Sequence, residues 1–358
     1  MDTLVLIVAL ALAFGNGAND NFKGFATVWG SATLTYQRAL LYATVATVVG
    51  SLASVWLANG LLVSFSGKGL VPDAVASAPH FLLSVALGAA VTVLTASRLG
   101  LPISTTHALI GGLIGAGLGQ GGESLNWAPL VKTFFIPLLL SPLLAALLSA
   151  LARRLLNTRG AVADCACLVV DSKPMLVGIE GTVARSVLLS VVVASDAACA
   201  PLNSIARVSP SHLLDSAHQL SAASICFARG LNDTPKIAAL LLAQNALGVH
   251  LSSYVIAAIM ALGGVLYASR VARTMSHRIT RLSHRDGLAA NFITAAIVLL
   301  ASRFGLPVST THVAVGAIAG VGASGGSLNG SAVRGILLAW VATLPLAAAL
   351  AYVVARLA

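Results

Sequence analysis

Two short stretches of the chain combine an Asn-Asp pair with a lysine three residues after the aspartate. Carboxylate and amide oxygens are hard ligands of the kind that Na⁺ or a proton uses. Residues i and i+3 share one face of a helix, so each lysine either neutralises its aspartate or offers a fixed cation to an anion. The two sets are Asn19, Asp20 and Lys23, and Asn232, Asp233 and Lys236.

A second pattern, Pro-x-Ser-Thr-Thr-His, also occurs twice and is typical of the start of a helix. Unpaired backbone N–H groups, the positive helix end and hydroxyl donors together favour an anion, and two such ends can hold a tetrahedral oxyanion between them. The alternative is simple capping, with helix packing through small residues. The hydroxyls belong to Ser104, Thr105, Thr106, Ser309, Thr310 and Thr311, the histidines are His107 and His312, and the packing glycines are Gly111, Gly115, Gly316 and Gly320.

The composition excludes a soluble protein. The 358 residues are 58% hydrophobic and only 9% charged, with a mean hydropathy of +0.93. A soluble domain is about one quarter charged, so this chain must use lipid as much of its solvent. The net charge of +10 does not indicate nucleic acid, because the basic residues lie mostly between apolar runs.

Apolar runs of roughly 20 residues predict about ten transmembrane segments. Segments 101–120 and 304–322 either cross or re-enter, and crossing is narrowly favoured by loop charge; it gives two inverted halves of five segments. Glycines and Pro235 near the Asn-Asp pairs predict broken helices. The segments are 3–31, 39–63, 80–98, 101–120, 129–151, 212–243, 250–269, 287–303, 304–322 and 334–355.

The resulting organisation is an N-terminal repeat (1–151), a central connection (152–211) and a C-terminal repeat (212–358). Short β-branched stretches in the connection indicate strands. The connection and the basic segment 270–285 hold 11 of the 21 Lys and Arg residues, and two crossings separate them. Both are therefore expected on the cytoplasmic side.

The chain contains an internal duplication. Arg98–Gly112 aligns without gaps with Arg303–Ala317, and nine of the fifteen positions are identical. The two Asn-Asp stretches align in the same order. Polar residues duplicated inside apolar runs are typical of a secondary carrier whose substrate site lies between the repeats.

At these motifs the chain resembles the inorganic phosphate transporter (PiT) family of phosphate and sulfate permeases. The shared signatures are Gly17-Ala-Asn-Asp20, Gly230-Leu-Asn-Asp233 and both Pro-x-Ser-Thr-Thr-His stretches. The resemblance implies an all-α polytopic membrane protein with inverted repeats and cation-coupled phosphate uptake. It assigns substrate and ion binding to the Asn-Asp pairs and the Ser-Thr-Thr triplets, with Asp20 and Asp233 as coupling-ion ligands.

One departure from the family pattern affects coupling. Many members continue Asn-Asp with Val-Ala-Asn, whereas Asn21-Phe-Lys23 and Thr234-Pro-Lys236 follow here. A fixed ammonium can replace a bound Na⁺ electrostatically, so the sequence leaves Na⁺ and H⁺ coupling open, and sulfate remains an alternative substrate.

The expected function is therefore secondary active import of inorganic phosphate across the cytoplasmic (inner) membrane, coupled to Na⁺ or H⁺. The alternatives are a sulfate permease and, from another class, a passive anion channel. An enzyme is not expected, because no third acid lies near Ser104 and His107 or their copies. We expect no cofactor and no metal other than Na⁺ at Asp20 and Asp233, with phosphate or sulfate and the lipid bilayer as partners; a homo-oligomer is left open.

Overall fold

The computed structural model describes residues 1–120, 125–157, 165–177, 182–194, 204–208, 210–242, 248–280 and 282–357. The chain divides into two units. The membrane unit comprises Met1–Arg154 and His218–Ala358, and the sheet unit comprises Leu155–Ala217.

The first half is a series of helices rich in Leu, Ala and Val. The long helices are α1 (Asp2–Asp20), α3 (Tyr36–Leu57), α6 (Pro79–Leu99), α7 (Thr105–Gly119) and α9 (Ile136–Asn157). Short helices connect them: a 3₁₀ turn (Lys23–Phe25), α2 (Ala26–Gly30), α4 (Asn59–Ser64), α5 (Asp73–Ala76), α8 (Trp127–Pro129) and a π-helical turn (Leu130–Phe135).

The second half contains α10 (Pro210–Leu242), α11 (Val249–Tyr267), α12 (Ser269–His277), α13 (His284–Arg303), α14 (Thr310–Ser324) and α15 (Gly330–Leu357). The predicted break after the first Asn-Asp pair is present, because α1 ends at Asp20. The break predicted near Pro235 is wrong, since α10 continues through this residue. A proline removes one helical hydrogen bond, and neighbouring helices can compensate for that loss in a membrane protein.

The sheet unit contains three antiparallel strands: β1 (Cys165–Val177), β2 (Thr182–Ala194) and β3 (Ser204–Val208). Their order is β2-β1-β3, and the register pairs Cys165 with Ala194 and Val177 with Thr182. The strands predicted in the central connection are thus confirmed.

Within the described residues, seven helical segments are long and apolar enough to cross a membrane. Each coincides with a segment predicted from hydropathy. Of the other three, α10 is long enough but contains charged residues, whereas α7 and α14 have 15 residues each, about 22 Å at 1.5 Å per residue. That is less than a bilayer core of about 30 Å, so ten crossings stay a prediction. The seven are Asp2–Gly30, Tyr36–Leu57, Pro79–Leu99, Trp127–Leu155, Val249–Tyr267, His284–Arg303 and Gly330–Leu357.

Close glycine contacts join each half to the other. A methyl group added at Gly115 of α7 would overlap the carbonyl oxygen of Ala348 in α15. The equivalent Gly320 of α14 meets the carbonyl oxygen of Ala146 in α9 in the same way. The small-residue packing considered for these helices is therefore present, and it joins helices of opposite halves.

The helices that carry the Asn-Asp pairs also pack against helices of the opposite half. Gly17 of α1 lies against the backbone of Met260 in α11, and Gly230 of α10 lies against the backbone of Thr47 in α3. Small residues let helix backbones approach closely in lipid, where there is little hydrophobic driving force between helices. The two repeats are thus interlocked crosswise, which brings the duplicated motifs together.

Replacement of Gly115 by alanine tests this interlocking. The added methyl group overlaps a backbone carbonyl that cannot move alone, so Gly115→Ala should destabilise the protein by about 1–3 kcal/mol, seen as a lower melting temperature in detergent. Gly335→Ala on α15 is the matched control, because among the described residues no atom beyond its own turn of helix lies within 4 Å of the added methyl. Equal melting temperatures for the two variants would contradict the crosswise packing.

Candidate functional site

The duplicated polar residues converge in one buried group, here called the polar cluster. It lies where α1 and α10 meet the N-termini of α7 and α14, and none of its side chains is more than 5% exposed. All of the site residues predicted from the sequence belong to it. The members are Asn16, Asn19, Asp20, Lys23, Ser104, Thr105, Thr106, Arg229, Asn232, Asp233, Lys236, Ser309, Thr310 and Thr311.

The two asparagines of the Asn-Asp pairs hold the extended segments that precede α7 and α14. The Asn19 amide donates to the carbonyl oxygen of Leu101 at 3.0 Å, and its oxygen accepts from the backbone N–H of Ile103 at 3.2 Å. In the second half, the Asn232 amide donates to the carbonyl oxygen of Val308 at 3.3 Å. Serines at equivalent positions complete the arrangement, through Ser97–Asn19 and Ser302–Asn232 bonds of 3.1 Å each.

The hydroxyls of each Ser-Thr-Thr triplet have different partners. Ser104 caps α7 by accepting from the backbone N–H of His107 at 3.1 Å, and Ser309 caps α14 through His312 at 3.2 Å. Thr105 donates to an Asp20 oxygen at 3.2 Å. Capping therefore uses only the first hydroxyl of each triplet, whereas Thr105, Thr106 and Thr311 bond charged residues of the cluster.

Each lysine bridges the two halves. Lys23 forms an ion pair with Asp20 and donates to Asn19 Oδ1 at 2.8 Å and the Ile103 carbonyl oxygen at 2.9 Å. Its fourth partner is the hydroxyl of Thr311 in the opposite half, at 2.6 Å.

Lys236 repeats this pattern from the second half. It bonds Thr106 of the first half at 2.7 Å, the Val308 carbonyl oxygen at 2.9 Å and Asp233 Oδ1 at 3.3 Å. The ammonium groups therefore lie among carboxylate, carbonyl and hydroxyl oxygens, and each contacts a threonine of the other repeat.

Asn16 and Arg229 occupy the centre of the cluster and were not predicted as site residues. They are equivalent positions of the two repeats, and each lies four residues before its aspartate on the same helix face. The Asn16 amide donates to Asp20 Oδ2 at 3.1 Å and to Asp233 Oδ2 at 3.3 Å, so it joins the two carboxylates. Helical spacing within the aligned stretch was the sequence signal that could have identified both residues.

The charges of the cluster do not cancel. Two carboxylates, Asp20 and Asp233, face three cations, Lys23, Lys236 and Arg229. Charge inside a membrane protein is costly unless it is compensated. By formal charge the described cluster has one excess positive charge, which favours an anion electrostatically.

The histidines of the two motifs contact each other. The His107 and His312 rings are edge-to-face with centroids 4.3 Å apart, and His312 stacks on Trp340 at 3.7 Å. Trp340 in turn donates to the carbonyl oxygen of Pro102 at 3.1 Å. These contacts show a packing role between the halves, and the proton role stays a hypothesis.

Comparisons with known proteins give the same family as the motifs. A sequence profile of the phosphate transporter family matches residues 16–351, which contain the whole polar cluster. A Pyrococcus horikoshii protein named as a phosphate permease is 28% identical, over 98% of this chain and 96% of its own length. The chloroplastic inorganic phosphate transporter 2-1 of Arabidopsis thaliana is 29% identical, over 97% of this chain and 70% of that protein.

A solved structure described as the sodium-dependent phosphate transporter has a similar fold. Its TM-score is 0.78 at 23% sequence identity, and the match covers 99% of this chain and 98% of that one. The resemblance and the helical membrane fold predicted from the sequence are thus confirmed. The chain belongs to the phosphate transporter family and is a multi-pass membrane transporter, not an enzyme.

Proposed function

We propose that this protein is a secondary carrier that imports inorganic phosphate across the cytoplasmic membrane, with the connection 152–211 on the cytoplasmic side. The supporting observation is the buried polar cluster, which has an excess positive charge at the N-termini of α7 and α14. Helix N-termini and fixed cations together suit a tetrahedral oxyanion. Relatives that match nearly the whole chain and are named for phosphate support the same substrate.

Burial of the cluster supports a carrier over a channel. Every member is at most 5% exposed, so an anion reaches the site only when helices move apart. Alternating access requires groups of helices that move against each other around a shared site, and the cluster lies where helices of both repeats meet.

The lysines support H⁺ rather than Na⁺ as the coupling ion. The ammonium of Lys23 lies among oxygens of Asn19, Asp20 and Thr311 and the Ile103 carbonyl, which is the kind of oxygen shell that a hard cation takes. A sodium ion would have to displace the tethered ammonium. The same holds for Lys236 in the second half.

Charge balance favours phosphate together with a proton. A cluster with one excess positive charge becomes neutral when it holds H₂PO₄⁻, which is HPO₄²⁻ plus one proton. Sulfate has no such protonated form near neutral pH, so it would leave a buried negative charge, which is costly in the membrane interior. Phosphate is thus the better match, and proton symport follows from its chemistry.

Uptake into proteoliposomes tests substrate and coupling together. When the outside is more acidic than the inside and no Na⁺ is present, labelled phosphate should accumulate inside the vesicles above its external concentration. Labelled sulfate should not accumulate. A Na⁺ gradient at equal pH should give no accumulation. Accumulation that requires Na⁺ would contradict proton coupling. Accumulation of sulfate alone would contradict phosphate as the substrate. Phosphate flux that only follows its own concentration gradient would indicate a channel.

Removal of either aspartate should greatly reduce transport. Asp20→Asn or Asp233→Asn leaves a buried lysine without its counter-charge and doubles the excess positive charge, so uptake should fall to about a tenth of the wild-type rate or less. Uptake is normalised to the amount of protein in the membrane. The control is Asp73→Asn, an exposed residue in α5. Wild-type uptake by both cluster variants would contradict the assigned site.

Replacement of Lys23 by asparagine tests the tethered cation. The Lys23→Asn variant vacates an oxygen shell beside Asp20, so added Na⁺ should bind there and stabilise the protein by about 1 kcal/mol at about five times its Kd. Thermal unfolding in NaCl is compared with choline chloride. Wild type and the exposed control Lys68→Asn should show no Na⁺-specific shift, and such a shift in wild type would show that the lysines do not replace Na⁺.

A further inference from the structure

Arg229 is a buried cation whose hydrogen-bonding capacity is largely unused. Its side chain is 1% exposed and is the bulkiest of the fully buried side chains among the described residues. Within the described part of the chain, its Nε and Nη1 atoms have no hydrogen-bond partner. A guanidinium has five N–H donors, and buried donors without acceptors are costly.

The contacts that Arg229 does make are long. Nη2 donates to Asn16 Oδ1 at 3.4 Å, and Nε lies 3.9 Å from Asp233 Oδ2. A residue whose only role was to pair with Asp233 would be expected at hydrogen-bond distance. Pairing with Asp233 therefore explains only part of the hydrogen-bonding capacity of this guanidinium.

The cluster also departs from its repeat symmetry at this place. The equivalent of Arg229 is the uncharged Asn16, which bonds Asp20, Thr105 and Asp233. Thr310 is the equivalent of Thr105, yet its hydroxyl makes no hydrogen bond to any described residue, whereas Thr105 donates to Asp20. In the second half, Arg229 and Thr310 thus have hydrogen-bond donors without acceptors among the described residues. The equivalent side chains of the first half, Asn16 and Thr105, are hydrogen-bonded.

We propose that Arg229 binds the transported anion directly, together with the Thr310 hydroxyl at the N-terminus of α14. A guanidinium can bond two oxygens of one tetrahedral oxyanion through adjacent N–H groups, a geometry that a lysine cannot reproduce. In Arg229 this pair is Nη1, which has no partner among the described residues, and Nη2, whose bond to Asn16 is long. The anion then lies asymmetrically, closer to the second repeat. This assignment rests on the proposed function and adds a residue that determines anion affinity.

Equilibrium binding of labelled inorganic phosphate to the purified full-length protein tests the assignment. Arg229→Lys keeps the charge but loses the paired donors, and should raise the Kd for phosphate about tenfold, with a larger rise in Arg229→Gln. Arg334→Gln, at an exposed position on α15, is the matched control and should bind as wild type does. An unchanged Kd in both Arg229 variants would overturn the assignment. If wild-type protein still binds phosphate in that case, the proposed function is not affected.

Variants of Thr310 keep the test decisive if those of Arg229 do not assemble in the membrane. Thr310→Val preserves the side-chain volume but removes the hydroxyl, so its phosphate affinity should fall, and Thr310→Ser should retain wild-type affinity. Equal affinities for the two would overturn the assignment. Wild-type protein that binds no phosphate would instead contradict the proposed function itself.

Discussion

The burial of charge at the junction of the two repeats is the constraint on which the structure depends. Asp20, Asp233, Lys23, Lys236 and Arg229 are each at most 3% exposed. Charges inside a membrane protein are tolerated only when partners compensate them. Each lysine finds part of its compensation in the opposite half, through Thr311 or Thr106, so the cluster is complete only when both repeats are assembled.

The helix packing follows from the same requirement. Each motif helix crosses a helix of the other repeat at a glycine, which allows the backbones to approach closely: α1 against α11, α10 against α3, α7 against α15 and α14 against α9. Close backbone contact brings short side chains such as threonine and asparagine within reach of one another. The glycines and the polar cluster are thus two parts of one arrangement, and movement of one repeat would change both.

Duplication has not produced two identical sites. Asn16 joins both carboxylates, whereas Arg229 at the equivalent position adds a charge and leaves donors unused among the described residues. The asymmetry supplies the formal excess of positive charge and makes the two halves electrostatically different. Lys23 and Lys236, in contrast, are present in both halves and contact equivalent threonines of the opposite repeat.

The sequence by itself determined the membrane class, the duplication, the family and most members of the polar cluster, because hydropathy and motif spacing are local properties of the chain. Only the tertiary structure decided the hydrogen-bond partners of these residues. Asn19 and Asn232 bond the backbone of the segments that precede α7 and α14. Lys23 and Lys236 bond threonines of the opposite repeat. It also showed the unbroken α10 and the central position of Asn16 and Arg229. These features depend on which helices meet, and contacts between residues far apart in the chain are not encoded in the spacing of either motif.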